Sequence, residues 1–166
     1  MAEALLITRL DLTKFTSLNG NVDVDSFLPY IKIAQDTDLQ NFTGTKLLDK
    51  IKADIIANTL SGNYLTLTTT YLKPMLIHLA MKYYLPFAAY TISNKGVYKH
   101  NSENSTSVEK NEIDFLIEKE TQIAQHYTQR FIDYISNNTS LFPEYNTNSN
   151  SDMFPDTNNN YTGWYI

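Results

Sequence analysis

Apolar residues recur at helical spacing in four stretches of the chain. Asp25-Ser26 reads as a helix N-cap, with Pro29 in the first turn, where its missing N–H costs nothing. Phe27, Tyr30, Ile31 and Ala34 follow as one face, which fades near Leu39. Thr43-Gly44-Thr45 restarts the chain. Leu47, Leu48, Ile51, Ile55 and Ile56 then form the stripe of a second helix, with Asp49, Lys50, Lys52 and Asp54 opposite and Ser61-Gly62-Asn63 as its end. The third stretch, 65–93, is the most apolar. Tyr71, Met75, Leu76, Leu79, Tyr83 and Phe87 make a broad stripe, and Leu72, Ile77, Ala80 and Leu85 spread apolar character around the rest. A helix apolar nearly all round is central or packs on two partners, and this one carries more apolar surface than a four-helix domain needs. Pro74 predicts a start or kink, and Pro86 a bend.

Asn94-Lys95-Gly96 is a turn signal, followed by Val97-Tyr98-Lys99-His100 and the polar run 101–107. This predicts a β-hairpin or an exposed loop near 94–107. In the fourth stretch Ser107 can cap, and Glu109 and Glu112 suit a helix N-terminus. Ile113, Leu116, Ile117, Ile123, Ala124, Tyr127, Phe131, Tyr134 and Ile135 run as a stripe over about seven turns, and Asn137-Asn138 ends it. Residues 1–24 are mixed, with a turn at Asn19-Gly20-Asn21.

The character changes at Ser140. From there to Ile166 there are three acids, no bases, two prolines and many Asn, Ser and Thr. Such a segment cannot offset its ordering entropy with a core of its own. Yet three clusters stand on polar spacers: Leu141, Phe142, Pro143 and Tyr145; Met153, Phe154 and Pro155; Tyr161, Trp164, Tyr165 and Ile166. Trp and Tyr anchor interfaces, so these read as a strap that docks on a partner. A hairpin carrying Gly96, Val97 and Tyr98 could add a strand to a neighbour's edge. The sequence thus predicts an all-α, mainly helical bundle of about four helices over 1–139, with a hairpin or loop insertion. An extended aromatic arm follows over 140–166.

Composition narrows the chemistry. The chain has 166 residues and no cysteine, which excludes disulfides, thiolate metal sites and cysteine nucleophiles. A net charge of −5 argues against holding nucleic acid through its phosphates. The apolar runs are too short to span a membrane, and Met1–Leu10 lacks the layout of a signal peptide. This predicts a protein made in the cytoplasm, or part of something assembled there. His78, His100 and His126 have no partner at metal-ligand spacing. Asp36 and Asp38, like Asp23 and Asp25, stand two apart and share no helix face; Asp36, Asp38 and Glu118 read as solvated. Thr43-Gly44-Thr45-Lys46 lacks the glycine spacing of a phosphate loop. No catalytic group, cofactor or metal is expected. The 12 Tyr, 17 Asn and two Arg are what an AT-rich genome produces.

The order of parts carries a resemblance. A long apolar helix with proline leads to Asn94-Lys95-Gly96-Val97-Tyr98. A long amphipathic helix then runs through Gln125-His126-Tyr127 to Asn137-Asn138 and Phe142-Pro143-Glu144-Tyr145. Over Asp25 to Tyr145 this resembles the head–tail connector (adaptor) proteins of tailed bacteriophages, most closely those of Bacteroidales and crAss-like phages. The resemblance implies a non-enzymatic structural virion protein, without cofactor, that forms a ring of commonly twelve copies beneath the portal. Its partners would be itself, the portal protein and the next tail or ring protein, with DNA only as cargo in the channel and no membrane. Its place would be the head–tail junction of the virion, assembled in the host cytoplasm. The competing expectation is a small soluble helical regulatory or ligand-binding protein, which an internal polar cavity with converging Tyr and His78 would favour.

Overall fold

The computed structural model describes residues 4–18, 26–88, 90–93, 96–99 and 110–147, the strand residues 91–93 and 96–99 as backbone only. It is mainly helical, as the sequence predicts. Helix α1 (Arg9–Phe15) opens on a reciprocal cap: Thr8 Oγ1 accepts from the Asp11 amide, and the Thr8 amide donates to Asp11 Oδ2 at 2.8 Å. Helix α2 (Leu28–Ala34) has Pro29 in its first turn but no side-chain cap. Asp25 lies outside the described residues. Ser26 hydrogen-bonds the Tyr84 hydroxyl and does not cap the helix.

The second correction is at Leu39, where the helix does not fade. A π-helical turn (Gln35–Leu39) carries it into α3 (Gln40–Thr43), the Gln40 amide donating five residues back to Gln35. Gly44, at φ 73°, stops the rod where a Cβ would be strained, and α4 (Thr45–Ala57) departs from it. Asn58 at φ 55° closes α4, ahead of Ser61, while the Thr59 amide reaches back to the Asp54 carbonyl at 2.9 Å.

A second rod runs through α5 (Gly62–Thr66), a π turn (Leu67–Leu72) and α6 (Lys73–Tyr84), then tightens to a 3-10 turn (Leu85–Phe87). The wide turn sits where Pro74 lacks an N–H and its ring crowds the carbonyl four residues back. The tight turn sits at Pro86. The hairpin is present as β1 (Tyr90–Ser93) paired antiparallel with β2 (Gly96–Lys99), Ile92 opposite Val97. It begins earlier than 94, and 100–109 lie outside the described residues. Helix α7 (Lys110–Asn137) is about 42 Å long at 1.5 Å per residue. A 3-10 turn (Thr139–Leu141) and α8 (Pro143–Asn146) follow.

Helix α6 is the centre. It packs on α7 and α2, and α1 lies against it. Leu72, Met75, Leu76 and Met81 are sealed inside, and Ile77, Leu79 and Ala80 are buried around the circumference. Among the described residues, the apolar excess expected on 65–93 is therefore largely covered within the chain, apart from Leu65, Phe87 and Tyr90 near its ends. Each fully buried Leu or Met contributes roughly 1.5–3 kcal/mol.

Past the position 139/140, where the arm was expected to begin, the chain still packs on the helices. Phe142 is fully buried, meeting Tyr64 edge-on at 5.4 Å and Tyr134 at 6.0 Å, and Tyr145 is buried beside it. Tyr71 stacks on Tyr134 at 4.2 Å. Glu144 accepts the Tyr64 hydroxyl at 2.6 Å, and Lys46 donates to the Thr147 carbonyl. The folded body thus extends to Thr147.

The Tyr64–Glu144 bond has an alkaline signature. Burial, the bond to Glu144 and the charges of Glu144 and Asp54 push the Tyr64 hydroxyl from 10.0 up to about 12. The folded state therefore holds this proton more tightly than the unfolded chain. The bond's contribution is complete below pH 10 and is lost as pH rises through 12. Tyr64→Phe is expected to lower stability by about 1 kcal/mol at pH 7. It should also flatten the loss of stability between pH 10 and 12 in urea titrations. An unchanged alkaline slope would show that the bond is not formed.

Candidate interaction surface

Helix α7 presents three sides. The line Ala124, Phe131, Ile135 is buried. At about 100° per residue, Thr121, Gln125, Thr128 and Gln129 fall on one flank of that line. Leu116, Glu120, Ile123, Tyr127, Arg130 and Tyr134 fall on the other. The stripe read from the sequence is covered only over its C-terminal half. Phe115, Leu116 and Ile123 remain 56, 44 and 40% exposed, though each is a large apolar side chain.

On the second flank a cleft of about 240 Å³ lies between α1, α6 and α7, lined by Phe15, Pro74, Ile77, His78 and Tyr127 with Asp11 and Lys73 at its polar end. His78 Nδ1 is 2.7 Å from Glu120 Oε2, and its ring stacks on Tyr127 at 5.6 Å. Asp11 is pushed up by burial, but its hydrogen bonds from Thr8 and the nearby Lys73 outweigh this and hold it below its ordinary value. One turn on, the Arg130 guanidinium lies over the rings of Tyr71 and Tyr127, 5.7 and 5.6 Å from their centres.

On the first flank a cleft of about 340 Å³ opens between Asp38 and Phe42, Leu79 and Lys82, and α7. Two of the acids expected to be solvated are engaged in ion pairs. Asp38 faces Lys82 at 3.7 Å, and Asp36 joins Lys32 at 2.7 Å and Lys52 at 3.5 Å, tying the first rod to α4. Burial raises the Asp36 carboxyl, yet the bonds and charges of Lys32 and Lys52 leave it below its ordinary value. Glu118 is exposed and accepts from Gln122. Among the described residues no three His, Asp or Glu side chains are placed to hold a metal, and no helix is long and apolar enough to cross a membrane.

The residues expected to bind partners divide. Phe142 and Tyr145 belong to this chain's own core, Phe142 held between the rings of Tyr64 and Tyr134. Leu141 and Pro143 stay at the surface. Met153, Phe154, Pro155, Tyr161, Trp164, Tyr165 and Ile166 lie outside the described residues. Gly96, Val97 and Tyr98 form the second hairpin strand, described as backbone. Sequence reasoning passed over Arg130 and the Asp38 cleft. A lone arginine one turn from Tyr127 and an acid on a polar helix face gave no motif.

The chain belongs to a family of unknown function, DUF6712, whose model matches residues 39–155. No curated protein and no solved structure matches it.

Proposed function

We propose that this chain is the subunit of a head–tail connector ring of a tailed phage, a non-enzymatic virion protein that links portal to tail around the DNA channel. The observation that carries this reading is the uncovered apolar flank of α7. Leu116 and Ile123 on that flank, with Phe115 on the outer side, stand in the open on a helix whose C-terminal half buries Ala124, Phe131 and Ile135. A neighbouring copy that covers them contributes apolar burial no isolated subunit obtains. A cyclic assembly needs two different patches on each subunit, and α7 supplies two different flanks. The hairpin and residues 148–166 are the further parts available to reach a neighbour, the portal or the next ring. The net charge of −5 suits a channel past which phosphates slide.

One observation favours the second reading, a ligand-binding helical protein: His78 and Tyr127 do converge on a cleft. That cleft is open at the surface and shares its flank with Leu116 and Ile123, which suits a protein partner better than an enclosed small ligand. Native mass spectrometry of the full chain, alone and with the portal from the same particles, separates the two. The ring reading predicts a closed oligomer, twelve copies in the adaptor resemblance. Ile123→Glu should weaken it by on the order of tenfold, the loss of one buried aliphatic side chain, without altering helical content. A monomer indifferent to the portal would contradict the reading.

A further inference from the structure

Three side chains on the first flank of α7 offer acceptors to the cleft, which Gln125 and Lys82 also line. Thr121 Oγ1 donates to the Ile117 carbonyl at 2.7 Å and Thr128 Oγ1 to the Ala124 carbonyl at 2.8 Å. Their protons are engaged, so the lone pairs are what they offer to a visitor. Gln129 gives its amide N–H to Asp133 at 2.8 Å and retains its carbonyl oxygen. Among the described residues the Asp38 carboxylate accepts no hydrogen bond. Lys82 stands off Oδ1 at 3.7 Å, and Oδ2 is buried without a partner. A buried acceptor left unmade costs about 1–3 kcal/mol. The Cβ–Cγ torsion of an aspartate is soft, so the carboxylate can turn that oxygen outward. Phe42 and Leu79 supply apolar walls. Several acceptors, one of them charged, beside an aromatic ring call for a planar group with several N–H donors on an apolar stem. That description fits a guanidinium.

The opposite flank of the same helix holds one. Arg130 is exposed, lies over two tyrosine rings and has no carboxylate partner among the described residues. It is one of two arginines in the chain. We propose that the two flanks are the halves of one head-to-tail contact between copies of this chain. The Arg130 guanidinium of one copy enters the acceptor cleft of the next and bonds Asp38, and the exposed Ile123, two turns away on the same flank, covers apolar surface of the neighbour. Both halves lie on one helix but on opposite sides. Each copy therefore uses a different face toward each neighbour, which is the condition for a ring. The ring itself rests on the reading above; the pairwise contact does not.

The chain has no cysteine, so introduced thiols report cleanly. Full-length copies carrying Asp38→Cys are mixed with copies carrying Arg130→Cys and treated with a short thiol cross-linker. Asp49→Cys, exposed on α4, replaces Asp38→Cys as the control. The 38–130 product is expected well above the 49–130 product. Arg130→Asp alone should weaken association by on the order of a hundredfold, as for a truncated interfacial charge pair, and Asp38→Arg in the same chain should restore it. Equal yields for 38–130 and 49–130, or no rescue in a double variant that circular dichroism shows to be folded, overturn the contact. The mass of the wild-type assembly in the same solution tells the failures apart. Rings without the 38–130 product overturn the pairing and leave the ring. The 38–130 product in pairs that never close supports the pairing and removes the ring. A monomer with no 38–130 product overturns the pairing as well.

Discussion

Chains ended after Asn138 are expected to unfold at much lower urea than chains ended after Thr147, which should keep the stability of the body. The shorter cut removes Phe142, fully buried between Tyr64 and Tyr134, together with Tyr145 and the Glu144 acceptor of Tyr64. Phe142→Ala alone should cost about 3–5 kcal/mol, the range for a large aromatic side chain taken from a packed core. Against a total of about 5–15 kcal/mol for a domain, that is a large share. Urea titrations followed by circular dichroism measure both. If the chain cut after Asn138 unfolds with the same midpoint, Phe142 is not a core residue and the aromatic cluster is misplaced.

Gln35→Met is expected to have the next largest effect. Gln35 is fully buried in the π turn. Its Oε1 accepts from the Leu6 amide at 2.9 Å, and its Nε2 donates to the Ala4 carbonyl at 3.0 Å. One side chain thereby satisfies two backbone groups of the segment that leads into α1. Methionine fills the same volume but strands both groups, at about 1–3 kcal/mol each. The variant should lose about 2–6 kcal/mol in urea titrations by this accounting. Hydrogen exchange should show the Leu6 amide losing protection before the amides of α6. Wild-type protection at Leu6 in the variant would mean that the amide has another acceptor.

Both predictions concern places the sequence hides. The four main helices were legible because their apolar spacing is long and regular, and Pro74 and Pro86 marked real changes of winding. The extent of the first rod was not legible. Gln35-Asp36-Thr37-Asp38 interrupts the apolar period, and the extra residue in the π turn shifts its phase, so the apolar pattern stops at Leu39 although the helix does not. Helix α1 carried a readable signal in Thr8-x-x-Asp11, but the short mixed segment around it masked the capping pattern. The aromatic phrase at Phe142–Tyr145 showed that something would be anchored. It could not show that the pocket lies in the same chain, because a residue's appetite for burial does not name its partner. The exposed part of α7 was hidden for the opposite reason. A stripe at 3.6-residue spacing is identical whether this chain or a neighbour covers it, so only the packing of α6 reveals that Leu116 and Ile123 are left in the open. The Asp38 cleft was invisible because its chemistry depends on where the protons of Thr121, Thr128 and Gln129 point, which spacing does not encode.

The most direct test of the connector reading is cryo-electron microscopy of tailed particles whose genome encodes this chain. The reading predicts a symmetric ring of it beneath the portal, with Phe115, Leu116 and Ile123 covered by a neighbouring subunit and the DNA path through the centre. Particles with a complete portal and tail but without this chain at the junction would contradict it.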